Sequence, residues 1–122
     1  LAGCPDHYRL KNQWWESHKL MSAFLIADVH PADMDAYRDS GYLEAVPKIA
    51  AQFGGVYRAR GGQLEKLEGN WQPRRLVIIE FPSWDKLQAF YHCDDYQPYR
   101  EIRQRLADSN IVALEGYDTP LA

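Results

Sequence analysis

The chain has 122 residues, 46% of them hydrophobic and 25% charged, with a formal net charge of −3, which describes one globular domain with a single core rather than a disordered or two-domain chain. Mild acidity and the lack of a basic stripe exclude nucleic-acid binding through phosphate neutralisation, and no apolar run approaches the roughly 18 residues needed to span a bilayer. Two cysteines, Cys4 and Cys93, lie far apart, which is no disulfide framework and suits a reducing cytoplasm.

Leu1–Leu20 has no basic segment leading into an apolar one, so it is not a secretory signal. Met21 is the expected natural start, which makes residues 1–20 an upstream extension that is not native to the domain. The competing reading is an added helix that docks Tyr8, Leu10, Trp14 and Trp15 on the body, since a Trp pair is poorly left in water. One domain is expected over residues 21–118, followed by a tail at 119–122.

Ser22–Val29 alternates side chains at the strand period of two. Pro31 and Asp33 then open a helix, with Asp33 as N-cap. Apolar residues continue at helical spacing from Met34 to Phe53, with a kink or a break expected near Gly41–Pro47 and a stop at Gly54-Gly55. Val56–Arg60 is a second strand, ending in a bulge or bend at Gly61-Gly62. Residues 63–68 are expected to stay extended toward a turn at 69–73, and Leu76–Phe81 forms the third strand. Ser83 caps a helix from Trp84 that breaks at His92–Asp95 and resumes over Tyr96–Ala107, with Tyr99, Ile102 and Leu106 inward. Asp108–Asn110 turns the chain into a last strand, Ile111–Glu115.

The order β-α-β-β-α-β predicts an α+β, ferredoxin-like fold: a four-stranded antiparallel sheet with two helices on one face. One strand face is uniformly apolar (Leu25, Ala27, Val29, Tyr57, Ala59, Val77, Ile79, Phe81, Val112, Leu114) and is assigned to the helices. The other mixes Phe24, Ile26, Leu76, Ile78 and Ala113 with Asp28, Arg58, Arg60, Glu80 and Glu115. That mixed face is expected to be covered by a second copy, giving a two-fold homodimer.

The segments Ser22–Val29, Phe53-Gly54-Gly55, Ala59-Arg60-Gly61-Gly62, Leu67-Glu68-Gly69-Asn70-Trp71, Arg75–Pro82, Tyr96-Gln97-Pro98, Arg103 and Glu115-Gly116 together resemble the small bacterial family called domain of unknown function 1330. The resemblance runs from about Met21 to Gly116. It implies the dimeric α/β-barrel superfamily, whose members pack two ferredoxin-like sheets by their open faces and include monooxygenases, haem-degrading enzymes and lactone isomerases. The family itself has no established activity, so the resemblance favours a small-molecule pocket and goes no further.

Candidate site residues follow from the mixed face. A hairpin centred on Asn70 sets Arg60 across from Glu80, where Arg60 would anchor a carboxylate or carbonyl ligand and Glu80, with a raised pKa, would move a proton. The alternative is a salt bridge that only fixes register. Asp28 is the second carboxylate; were strands one and three parallel neighbours, Asp28 and Glu80 would form an acid/base pair. The alternative places Asp28 at the rim or on backbone amides. Trp71, at a hairpin tip, is a dimer anchor or a pocket lid, and Tyr91 and Tyr96, flanking the helix break, point hydroxyls toward the barrel mouth. His92-Cys93-Asp94 lacks the spacing of a metal site, and no nucleophile triad, phosphate loop or dinucleotide fingerprint is visible. The expected function is a cytoplasmic homodimer that binds a small anionic or carbonyl-bearing molecule. It is expected to act either as a cofactor-free isomerase or monooxygenase-like enzyme, or as a non-catalytic binding or stress-related module with a structural charged interior.

Overall fold

The computed structural model describes residues 21–117; the expectations for residues 1–20 and for the tail at 119–122 lie outside them. The elements are β1 (Ala23–Pro31), α1 (Met34–Asp39), α2 (Tyr42–Gln52), β2 (Val56–Arg60), β3 (Leu76–Phe81), α3 (Trp84–His92), α4 (Gln97–Leu106) and β4 (Ala107–Glu115). The four strands lie in the order β2-β3-β1-β4, antiparallel at every pairing. This is the α+β, ferredoxin-like arrangement. No helix among the described residues is long and apolar enough to cross a membrane.

The helix starts follow local chemistry. The Asp33 carboxylate accepts hydrogen bonds from the Asp35 and Ala36 amides at 3.0 and 3.2 Å, satisfying donors that the first turn leaves open. Ser83 does the same for Lys86 at 3.1 Å. The break between α1 and α2 falls at Gly41, whose φ of 86° suits only glycine there. Pro47 lies inside α2 without ending it. Tyr37, Phe81, Leu87, Phe90 and Val46 are the most deeply buried large side chains, and burial of an aliphatic or aromatic side chain contributes roughly 1.5–3 kcal/mol. Phe90 links the layers, with ring centroids 5.2 Å from Phe81 and 4.7 Å from Tyr96.

In β1 and β3 the faces are those expected: Ala23, Leu25, Ala27, Val29, Val77, Ile79 and Phe81 are buried against the helices. Two strands differ. In β2, Tyr57 pairs with Ile79 but Ala59 pairs with Ile78, so Arg58 is the extra residue of a bulge and the alternation changes phase beyond it. Ala59 therefore belongs to the open face and Arg60 to the helix side, the reverse of the expected assignment. In β4, Leu25 pairs with Ala113 and Ala27 with Ile111, so Ile111 and Ala113 face the helices while Val112 and Leu114, 59% and 56% exposed, face outward. Ile111 to Leu114 are all apolar, which left the phase of that strand undetermined by pattern. Asp108–Asn110 is not a turn: α4 runs directly into β4, and these residues pair with His30, Val29 and Asp28. Residues 63–68 form no strand.

Candidate functional site

A cavity of about 40 Å³ lies between the helices and the inner face of the sheet, room for two or three water-sized molecules before anything moves. Leu25, Ala27, Val46, Val77, Ile79 and Phe90 give it apolar walls. Its polar groups are the phenols of Tyr37, Tyr42, Tyr57 and Tyr96 and the guanidinium groups of Arg60, Arg75 and Arg103. No carboxylate, histidine, lysine or cysteine is among the described residues that line it. Among the described residues the chamber therefore has three cations, four phenols and no internal anion.

Arg103 sits on the inward stripe of α4 and is 3% exposed. Its Nη1 donates to Ser109 Oγ on β4 at 2.7 Å, with longer contacts from Nε to the Tyr96 hydroxyl at 3.4 Å and from Nη2 to the Tyr91 hydroxyl at 3.5 Å. Among the described residues no carboxylate forms an ion pair with it. Burial disfavours its charge, but the oxygens of Tyr96, Tyr42 and Tyr91 outweigh that and raise its pKa further, so it is always cationic. The Tyr42 and Tyr96 hydroxyls share a hydrogen bond of 2.8 Å. Burial, with the neighbouring Tyr96 second, pushes the Tyr42 phenol far up, and burial pushes Tyr37 and Tyr57 up to about 12. At neutral pH these three groups are neutral hydrogen-bond donors.

Arg60 is held at the cavity's exposed side by the proline in α2. An α-helical residue 47 would donate its N–H to the carbonyl of residue 43, but proline has none. The freed Leu43 carbonyl instead accepts from Arg60 Nη2 at 2.6 Å, and the guanidinium carbon lies 5.1 Å from the Tyr57 ring centroid. Arg75 lies beside Gly61, whose φ is +69° and where an added Cβ would come within 2.9 Å of Arg75 Nε. Both ends of the 61–75 segment thus meet at this side of the cavity.

The expected Arg60–Glu80 pair does not form. Glu80 projects from the open face and pairs with Arg58, Nε to Oε1 at 2.9 Å, because the bulge carries Arg60 to the other side. The Ser22 hydroxyl first, and Arg58 second, lower the Glu80 pKa, where a raised one was expected; the group is open to water and stabilised as the anion. The expected Asp28–Glu80 pair is corrected too. Strands β1 and β3 are antiparallel, Glu80 lies opposite Phe24 and Asp28 opposite Leu76, so four residues, about 13 Å, separate them along the sheet. Asp28 instead accepts from the Arg74 and Arg75 amides at 3.1 and 3.3 Å, the backbone role weighed as its alternative. Trp71, 62% exposed, lines a shallow groove with Asp28, His30 and Asn110 at the open face, away from the cavity. Tyr96 lines the cavity, and Tyr91 reaches it through Arg103.

Arg103, Tyr42, Tyr57 and Arg75 were not among the expected ligand-binding residues. Arg103 had a readable signal: it lies four residues after Tyr99 and three before Leu106 on the inward stripe, a place where an arginine without an acidic neighbour is anomalous. Arg75 had none, since a long segment of irregular backbone brings it to Gly61. Among the described residues no cluster of three metal-ligating side chains occurs.

Against known proteins, residues 22–117 match the family described as "Domain of unknown function (DUF1330)". Among solved structures the fold is similar to RPA0582, a protein of unknown function from Rhodopseudomonas palustris, with a TM-score of 0.62 and 18% identity over 91% of this chain and 94% of that one. The methylated RPA0582 protein gives the same TM-score and identity over 90% and 91% of the two chains. A protein of unknown function from Bacteroides thetaiotaomicron, described as a possible oxidoreductase, is 19% identical over 80% of this chain and 98% of that one, with a TM-score of 0.47. At these identities the likeness to RPA0582 is one of fold alone. No curated protein matches the sequence.

Proposed function

The chain belongs to the DUF1330 family, and from that premise we propose that it binds a small organic anion in the cavity between its helices and its sheet. Arg103 is the anchor, and the Tyr96 and Tyr42 hydroxyls complete the hydrogen bonds. The observation that carries this reading is a guanidinium 3% exposed with no carboxylate partner among the described residues. An isolated buried charge costs several kcal/mol, and an oxyanion entering beside it would recover much of that while accepting charge-assisted bonds.

A cofactor-free isomerase or monooxygenase would draw on Glu80 or Asp28 for proton transfer. Both belong to the opposite side of the sheet, so the geometry favours binding without turnover. We also propose that a second copy covers the open face, where Val56, Val112 and Leu114 are 45%, 59% and 56% exposed beside Phe24, Ile26 and Ile78, with Trp71 as an edge anchor. A cytoplasmic setting is part of this reading and rests on the cysteine usage of the sequence.

Calorimetry with small carboxylates tests the anion site. The wild-type chain is expected to bind, and Arg103→Gln, checked for fold by circular dichroism, to lose at least tenfold in affinity. Tyr42→Phe removes one hydroxyl without a charge and is expected to weaken binding several-fold with the fold retained. Unchanged affinity in a folded Arg103→Gln protein overturns the proposal.

A further inference from the structure

The three cations of the cavity stand at two levels. Arg103 is buried and bonded to Ser109 on β4, one edge of the sheet. Arg60 is exposed and belongs to β2, the other edge. Three strand spacings separate those edges, about 14 Å between backbones, and both side chains reach inward to line the same chamber. Ala27 and Val77, on the two strands between those edges, give the chamber an apolar floor. Neither Arg60 nor Arg75 forms an ion pair among the described residues. Arg60 is nonetheless fixed in place by the Leu43 carbonyl and the Tyr57 ring, using one of its five N–H donors on the protein.

A single anionic group satisfies only one of these levels. From the placement of the cations toward opposite edges of the sheet, the apolar floor and the absence of a carboxylate among the described lining residues, we infer that the ligand is a short dianion, a dicarboxylate with a spacer of one to three carbons. One carboxylate meets Arg103 and Tyr96, and the other meets Arg60 and Arg75. This rests on the anion-binding reading of the same cavity and specifies its ligand class. The chamber has room for only two or three waters before it widens, which argues against a longer spacer, and the exposed placement of Arg60 leaves the second carboxylate at the open side, where its desolvation costs less.

The test is calorimetry at fixed ionic strength with acetate and propionate against malonate, succinate and glutarate, with succinamide as the uncharged control. One dicarboxylate is expected to bind at least tenfold more tightly than either monocarboxylate, and succinamide not to bind. In Arg60→Gln and in Arg60→Gln/Arg75→Gln, both at exposed or half-buried positions that leave the core intact, the ratio of dicarboxylate to monocarboxylate affinity is expected to fall toward one. If mono- and dicarboxylates bind equally to the wild-type chain, or if the ratio survives both substitutions, the dianion inference is overturned while anion binding stands. If neither class binds, both fall together.

Discussion

Tyr37 and Tyr57 illustrate what a buried phenol does to stability. Their folded pKa values near 12 exceed the ordinary 10.0, chiefly through burial. A group whose pKa is raised by folding stabilises fully below its unfolded value and loses that contribution as pH rises through the folded one. Unfolding free energy from denaturant titration is therefore expected to decline between pH 10 and about 12, and Tyr37→Phe or Tyr57→Phe to reduce that slope by about one proton. Absorbance near 295 nm gives the matching readout, because in the folded chain these phenols ionise near pH 12 rather than near 10. Ionisation of both near pH 10 in an intact fold would contradict their burial. Arg103 shows how far a sequence can be read at this scale. Its place on the α4 stripe is visible, but its solvent exposure and the bond to Ser109 depend on how α4 meets β4, which no local pattern states. The carboxylates were more conspicuous in sequence than the phenols, yet Glu80 and Asp28 are on the open side and the phenols line the cavity.

Pro47 is the clearest case of an element shaping a site. A proline in a helix interior costs about 3 kcal/mol relative to alanine, and the carbonyl it leaves open is the one that holds Arg60. In Pro47→Ala the restored N–H competes for that carbonyl. Thermal unfolding is expected to move upward by the equivalent of about 1–3 kcal/mol, while the preference for a dicarboxylate over a monocarboxylate drops several-fold because Arg60 is freed. A stabilised variant with undiminished preference would show that Arg60 needs no such tether. The proline was readable as a break in helical hydrogen bonding. The chain turned at Gly41 instead, because a positive φ ends a helix outright while proline removes one bond. The bulge at Arg58 was less legible: it depends on pairing across strands, and the glycines that suggested an irregularity follow it by three residues.

Across the whole molecule, alternation specified β1 and β3 because both are central strands with contrasting faces. It misassigned β4 and the end of β2, the two edge strands, where either the run Ile111–Leu114 was uniformly apolar or a bulge changed the phase. The result is an open face richer in exposed apolar area than expected, through Val112 and Leu114. Val112→Asp/Leu114→Asp is expected to leave circular dichroism unchanged and to convert a dimer into a monomer by sedimentation equilibrium. A wild-type chain that sediments as a single protomer would remove the proposed second copy.

The start of β1 and the end of β4 are neighbours: Ala23 pairs with Glu115, and the Gly116 amide donates to the Ser22 carbonyl at 2.7 Å. The row that contains Arg60, Val77 and Ala27 lies four residues away along the same strands, about 13 Å. A small fluorophore attached at that shared corner would stand about 13 Å from the arginine row. A label of that size at Ser22 or Gly116 would track the domain from a corner of the sheet set apart from the chamber.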